Sequence, residues 1–326
     1  MLSVCLFLAL AAASAYAQGG SPLLLVLEKN DKSLAIVDAR TSQIIARVPA
    51  GEDPHEIVAS ADGKYAYISN YGAFGTPQHT LTIADLSARK STTFDLGSLL
   101  APHGMEMAGG KVYFTAEGSK AISRYDPATH RIDWTLGLGQ NRTHMLTVAK
   151  DEQRIFTSNV NSDSISILDR DKNADASGWI QNVIPVGKGP EGFDVSPDGK
   201  EVWAANSGDG TVSIIDVANK KVAQSIDVHT KRSNRLKFTP DGKLVLISDL
   251  ATGDLVVLDV VTRTEIKRLN LGRGTAGILI EPDGSRAYVA VSPDNKVAIV
   301  DLRALSISGR INTGKGPDGM AWVSAR

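Results

Sequence analysis

The sequence predicts an all-β fold, a seven-bladed β-propeller with four antiparallel strands per blade, whose ring is closed by the C-terminal strand completing blade one. Three observations carry this expectation. A turn, Ser196-Pro197-Asp198-Gly199-Lys200, recurs as Thr239-Pro240-Asp241-Gly242-Lys243, as Glu281-Pro282-Asp283-Gly284-Ser285 and more loosely as Ser60-Ala61-Asp62-Gly63-Lys64. Turn residues at fixed offsets with a period of roughly 45 residues mark a propeller or solenoid built from copies of one unit. An Asp ends the third β-favouring run of every copy, at Asp38, Asp85, Asp126, Asp169, Asp216, Asp259 and Asp301, which counts seven blades. The first unit opens at Leu23 directly in a second-strand pattern, and the strand it lacks is found at the other end of the chain, where Gly314-Lys315-Gly316-Pro317 repeats Gly187-Lys188-Gly189-Pro190 and Asp318 to Val323 reads as a first strand.

The unit from Gly189 to Val228 shows the plan. Its runs are Gly192 to Val195, Glu201 to Ala205 ending at Asn206, Thr211 to Ile215 ending at Asp216, and Lys221 to Val228. Each is bounded by turn residues, and no intervening segment suits a helical crossover, so the four runs pair antiparallel. Because the strand-end Asp recurs in all seven units, it is assigned to bonding its own turn backbone rather than to catalysis. Joining the chain ends within blade one removes the open sheet edges that would invite aggregation.

Composition bounds the function. With 35 basic and 36 acidic residues the net charge is −1, so no global field draws in nucleic acid or an anionic membrane, and recognition by charge must be local. Aromatics make up 6% of residues and are scattered through the strands, which gives no stacking platform for single-stranded nucleic acid. Leu2 to Tyr16 is an apolar run followed by the small-x-small site Ala15-Tyr16-Ala17, the pattern of a secretory signal peptide over residues 1–17, although no Lys or Arg precedes it. The expectation is a periplasmic or secreted, monomeric domain over residues 18–326, with no membrane contact after cleavage. Cys5 falls inside the leader, leaving no thiol for a disulfide, a thiolate metal site or a covalent haem.

The second strands Tyr65-Ala66-Tyr67-Ile68-Ser69-Asn70, Val202-Trp203-Ala204-Ala205-Asn206 and Ala287-Tyr288-Val289-Ala290 resemble the YVTN-type β-propeller repeat, over essentially the whole chain after the leader. That resemblance implies a propeller akin to the lactonase family or to the haem domains of periplasmic nitrite reductases. It is specific for fold and uninformative for activity, and no Cys-x-x-Cys-His is present to attach a haem.

Departures from the repeat locate the candidate site. At the start of the first strand, blades two to seven carry His55, His103, His144, Glu191, Asn234 and Ala276, with Asp318 in blade one. Three of the six histidines thus share one position in consecutive blades, where the fold itself accepts Glu, Asn, Ala or Asp. Imidazoles converging beside Glu191 suit a divalent transition metal such as zinc, iron or copper with a coordination position left open. The plainer reading is a polar channel lining.

A second ring is expected at the end of the second strand, from Glu28, Asn70, Glu117, Asn159, Asn206, Asp249 and Val291. The asparagines are assigned to turns, whereas Glu28, Glu117 and Asp249 are candidates for supporting the histidines or binding a hard cation. Beside the His column four blades have Gly, but blades two, four and six have Glu56, Met145 and Arg235, and Glu56 and Arg235 are each expected to face a ligand. Arg142, Lys188, Lys231, Arg232, Arg273 and Lys315 are loop cations on the same face. An insertion from Tyr71 to Thr80 containing His79 is a candidate lid, and a second from Asp171 to Gly178 is a solvated loop on the other face.

Three functions from different classes follow: a module that binds a metal, a small molecule or a partner protein at the channel face, a lactonase-like hydrolase or lyase, and an electron-transfer accessory protein. No nucleophile elbow or phosphate loop is present, so no residue is assigned as catalytic, and the first reading leads.

Overall fold

The computed structural model describes residues 20–73, 75–171, 173 and 178–325. The leader with Cys5, Phe74 of the first insertion and most of the second insertion lie outside the described residues. Seven four-stranded antiparallel sheets form the blades, as the repeat count predicts. Blade one takes the order Pro317–Val323, Leu23–Glu28, Ser33–Asp38, Gln43–Pro49. Its closing pair is in register at Leu24 opposite Trp322, Leu25 opposite Ala321 and Val26 opposite Met320.

The hydrophobic pattern explains why the sheets stand as blades. Second and third strands are apolar almost without alternation, as in Leu23–Glu28 and Ser33–Asp38, because both faces are buried. Leu25 and Leu27 pack with Ile57 and Ile68 of blade two. Leu24 and Val26, on the opposite face of the same strand, pack with Tyr288 and Val297 of blade seven. One such core lies at each junction between neighbouring blades. Outer strands alternate, with Gln43–Pro49 exposing every second residue, since beyond them there is only solvent.

Six of the seven strand-end aspartates bond their own turns as expected: Asp38 accepts from the amides of Arg40 and Thr41 at 2.9 and 3.0 Å, and Asp85, Asp126, Asp216, Asp259 and Asp301 repeat the motif. Asp169 departs from it, accepting instead from Arg154 at 2.6 Å and pairing with Lys220 at 2.7 Å. The insertion that follows Asp169 replaces the short turn whose amides it would have bound.

Removal of residues 317–326 strips the inner strand from blade one and uncovers Leu24 and Val26, each worth about 1.5–3 kcal/mol of burial. The truncated chain is expected to aggregate or to lose its cooperative urea transition. An unchanged melt in a monomeric protein would contradict the observed closure.

Candidate functional site

One irregularity, copied around the ring, builds the channel mouth. The inner strand opens with a register shift against the second strand in blades one to six, for example between Pro54 and Ile57, Pro102 and Met105, and Thr143 and Leu146. A bulge of this kind re-aims a side chain and leaves backbone groups needing partners. Hydroxyls of the second strand supply them. The amides of Glu56, Met145 and Arg235 donate to Ser69, Ser158 and Ser248 at 3.0, 3.2 and 3.0 Å, while Thr115 and Ser158 donate to the carbonyls of His144 and Glu191 at 2.8 and 3.1 Å. The bulged residues are the His column itself.

His55, His103, His144, Glu191, Asn234, Ala276 and Asp318 accordingly line one cavity of about 450 Å³, together with Arg142 and Arg232. The rings of His103 and His144 lie 3.8 Å apart, and those of His55 and His103 4.4 Å apart. His144 donates its Nδ1 proton to Glu117 Oε1 at 2.5 Å, which leaves Nε2 as the lone-pair nitrogen, 3.7 Å from Glu191 Oε1. Glu117 also accepts from the Tyr71 hydroxyl at 2.6 Å and stands 3.7 Å from Arg142 Nε. Burial pushes the Glu117 carboxyl upward, but the bonds from His144 and Tyr71 and the Arg142 charge outweigh it and hold the acid below its usual value. Ligating atoms of His103, Glu117 and His144 all lie within 4.8 Å of one another.

His103 is fully buried, yet neither ring nitrogen has a hydrogen-bond partner among the described residues, and the same holds for His144 Nε2, Asn234 Oδ1 and Asp318 Oδ1. A buried polar atom left unpaired costs about 1–3 kcal/mol. Ala276 occupies the same column without that cost, so the fold does not require it. Burial above all, with the Arg235 and Lys29 charges adding to it, holds the His103 imidazole well below its ordinary range, keeping it neutral and able to donate lone pairs.

His55 stands apart from its neighbours. Lys29 Nζ lies 2.9 Å from His55 Nδ1, 3.2 Å from Asp318 Oδ2 and 3.5 Å from Asp53. An ammonium only donates, so Nδ1 is the acceptor and its lone pair is taken.

The second ring is where the sequence reading needs correction. Asn70, Asn159 and Asn206 are buried and donate to hydroxyls across the adjoining strand, such as Thr80, Ser164 and Thr211 at 2.9, 3.2 and 2.8 Å. They brace the blade and do not face the channel. Glu28 occupies the equivalent place, holding Ser33, Arg47 and the Gly314 amide, and Asp249 accepts from the amides of Lys231, Arg232, Ala251 and Thr252. In blade three that place belongs to Ala116, opposite Pro102. Glu117 is one residue further on, level with Lys29 and Tyr71, and this next position is the one that reaches the mouth. Lys29 and Tyr71 were therefore missed by a single residue of register.

Glu56 and Arg235 do not reach for a ligand but pair with each other across the channel. They can span it because the same position is Gly in blades one, three, five and seven, where a Cβ would strike the neighbouring inner strand; at Gly319 it would meet the His55 carbonyl at 2.4 Å and at Gly192 the Arg235 Cα at 2.6 Å. His79 is no lid. The insertion continues the hairpin, with Gly72 opposite Pro77, and His79 bonds Asp95 at 2.9 Å on the exposed side, whereas Tyr71 from the same segment enters the cavity. Among the loop cations, Arg273 is occupied by Asp294.

Comparison with known proteins agrees with this architecture. The family described as Lactonase, 7-bladed beta-propeller matches residues 129–227, less than a third of the chain. A putative 6-phosphogluconolactonase from Bacteroides uniformis superposes with a TM-score of 0.75 at 15% identity, covering 93% of this chain and 100% of that one. The fold is that of the lactonase-like seven-bladed propellers. The matched stretch contains His144 and Glu191 but not His103 or Glu117. Hydrazine synthase subunit beta from Kuenenia stuttgartiensis is 32% identical over 150 residues, 38% of this chain and 39% of that protein, so the match spans well under half of that relative. Dihydro-heme d1 dehydrogenase NirN in complex with DHE superposes with a TM-score of 0.65 at 16% identity, covering 91% of this chain and 74% of that one.

The state of His103 has a measurable consequence for metal-free protein. Below about pH 6.5 an unfolded imidazole takes a proton that the buried ring refuses. The unfolded chain then binds more protons than the native one, so stability is fully present above that pH and falls as pH drops, by up to about 1.4 kcal/mol per pH unit. Urea titrations across this window are expected to show a shallower slope for His103→Gln than for the wild type; equal slopes would contradict a buried neutral ring.

Proposed function

We propose that this chain is a secreted or periplasmic ligand-binding propeller that holds a divalent transition metal at its channel mouth through His103 and His144, with Glu191 as the adjoining carboxylate. The observation that carries the reading is the buried His103 ring with neither nitrogen partnered among the described residues. His144 supports it. Its Nδ1 proton is fixed on Glu117, the arrangement by which a carboxylate sets the tautomer and orientation of a metal-binding imidazole. Two neutral imidazoles and a carboxylate form a donor set suited to zinc, iron or copper, and a metal so held supplies a Lewis acid with a position open to a small ligand or to a group from a partner protein. Arg232 on the cavity wall favours an anionic group on that ligand. The leader-like segment before Gln18 supports export.

Metal titration of protein purified without an affinity tag tests this directly. His103→Ala and His144→Ala are expected to lose zinc affinity by more than about 100-fold, Glu117→Gln by roughly 10–100-fold, and exposed His229→Ala not at all. Wild-type affinity should weaken on acidification as the imidazoles take protons. Equal affinity in wild type and His103→Ala would remove the proposal.

A second reading, a lactonase-like hydrolase, is favoured by the family match over the segment that carries His144 and Glu191. It requires saturable hydrolysis of lactones or esters that disappears in Glu191→Gln with the fold intact. The binding reading expects no substantial turnover from wild-type protein, with or without added metal.

A further inference from the structure

Beyond the Glu56–Arg235 bridge the channel continues towards the opposite face. Three residues along the inner strand from the His column, about 10 Å at the strand rise, a third ring carries Glu106, Thr147, Asp194 and Lys237 in blades three to six. The remaining blades place Leu279, Ala321 and Val58 at this level. One side of the ring is polar and the other apolar. All of these except Ala321 line a cavity of about 280 Å³ roofed by the Glu56–Arg235 bridge, with Met105, Met145 and Met320 among its walls. Glu106, Thr147 and Asp194 also line an adjoining cavity of about 650 Å³ that includes the turn residues Ser196 to Gly199, so the space opens on the face away from the histidines.

The charges in this cavity do not balance. Arg235 is taken by Glu56, and Lys237 stands 3.9 Å from Asp194 Oδ1. Asp194 Oδ2 additionally accepts from the Phe238 amide at 3.0 Å. Glu106 accepts from the Val148 amide at 3.1 Å, but no cationic side chain lies within ion-pair distance of it among the described residues. A partly buried carboxyl is thus left without a counter-charge in a cavity walled mainly by apolar side chains, three of them the adaptable thioethers of methionine. Apolar walls carrying a few placed polar groups are the composition of a small-molecule pocket.

We propose that this lower cavity is a second ligand site, independent of the histidine mouth, for a small amphiphilic organic cation whose ammonium head pairs with Glu106 and whose apolar body lies along Met105, Met145 and Met320. A cation fits where an anion does not, because the cavity's two cationic side chains are already matched by Glu56 and Asp194. Glu106 must be ionised to form the pair. Burial raises its carboxyl to about 7, offset in part by the Val148 amide and the Lys237 charge and reinforced by Asp194. Below that pH the ligand has to displace a proton, so affinity rises with pH and levels off above about 7.

Calorimetry with hexylamine, 1-hexanol and hexanoate as probes tests the inference on the full chain. Hexylamine is expected to bind wild-type protein, with affinity rising by up to about tenfold per pH unit below neutrality. It should bind at least tenfold more tightly than hexanol or hexanoate above neutrality. Glu106→Gln, which keeps the shape and the bond from Val148, should lose that advantage and the pH dependence while binding hexanol unchanged. His103→Ala should bind hexylamine like the wild type, which separates this site from the metal reading. Absence of hexylamine binding, equal binding of amine and alcohol, preference for hexanoate, or an unaffected Glu106→Gln variant would each overturn the proposal.

Discussion

Closure of the ring by Pro317–Val323 on Leu23–Glu28 is the constraint on which the rest of this molecule depends. Each blade buries both faces against its neighbours, so no blade has a core of its own, and a gap at one junction would expose two apolar faces at once. The closing strand also delivers Asp318 to the mouth, where it meets Lys29 from the turn that follows the second strand of the same blade. Residues almost 300 apart in sequence become neighbours only because the circle is complete.

Within the closed ring, packing at the axis decides what the channel can contain. Seven inner strands crowd together there, and glycines in alternate blades let neighbouring backbones come close enough for Glu56, Met145 and Arg235 to fill the centre. The Glu56–Arg235 pair divides the channel into two cavities of different character. Above it, buried atoms of His103, His144 and Asp318 have no hydrogen-bond partner among the described residues. Below it, the unmatched Glu106 carboxyl and the Asp194–Lys237 pair share the walls with apolar side chains. The strand-start bulges, with their Ser and Thr supports, let the upper residues turn inward without leaving their own amides unpaired.

The fold was legible in the sequence because its signals are repeated. Turn motifs, strand-end aspartates and the displaced seventh inner strand each mark the blades independently, and all follow from local backbone chemistry. The His column was legible for the same reason: His55, His103 and His144 are departures at a position whose register is fixed by the repeat. The second ring was misread by one residue because the second strand ends in an asparagine in several blades, and Asn at a strand end looks the same whether it faces a channel or braces an adjoining strand. Lys29 and Tyr71 follow immediately after that position, Lys29 in a short turn and Tyr71 where the strand runs on into the insertion, and residue type does not reveal which way the chain takes either side chain. The Glu56–Arg235 pair was invisible for a different reason, since blades two and six come within reach only when the glycines between them bring the inner strands to the axis.

The central claim is that the fully buried His103 and its neighbour His144 serve a metal and not merely the fold. Anomalous X-ray scattering from crystals of zinc-loaded protein tests it most directly. The account predicts one strong peak at the mouth, about 2.0–2.1 Å from a His103 nitrogen and from His144 Nε2. Peaks confined to exposed histidines such as His79 or His229, with His103 bonded only to water or protein, would contradict it.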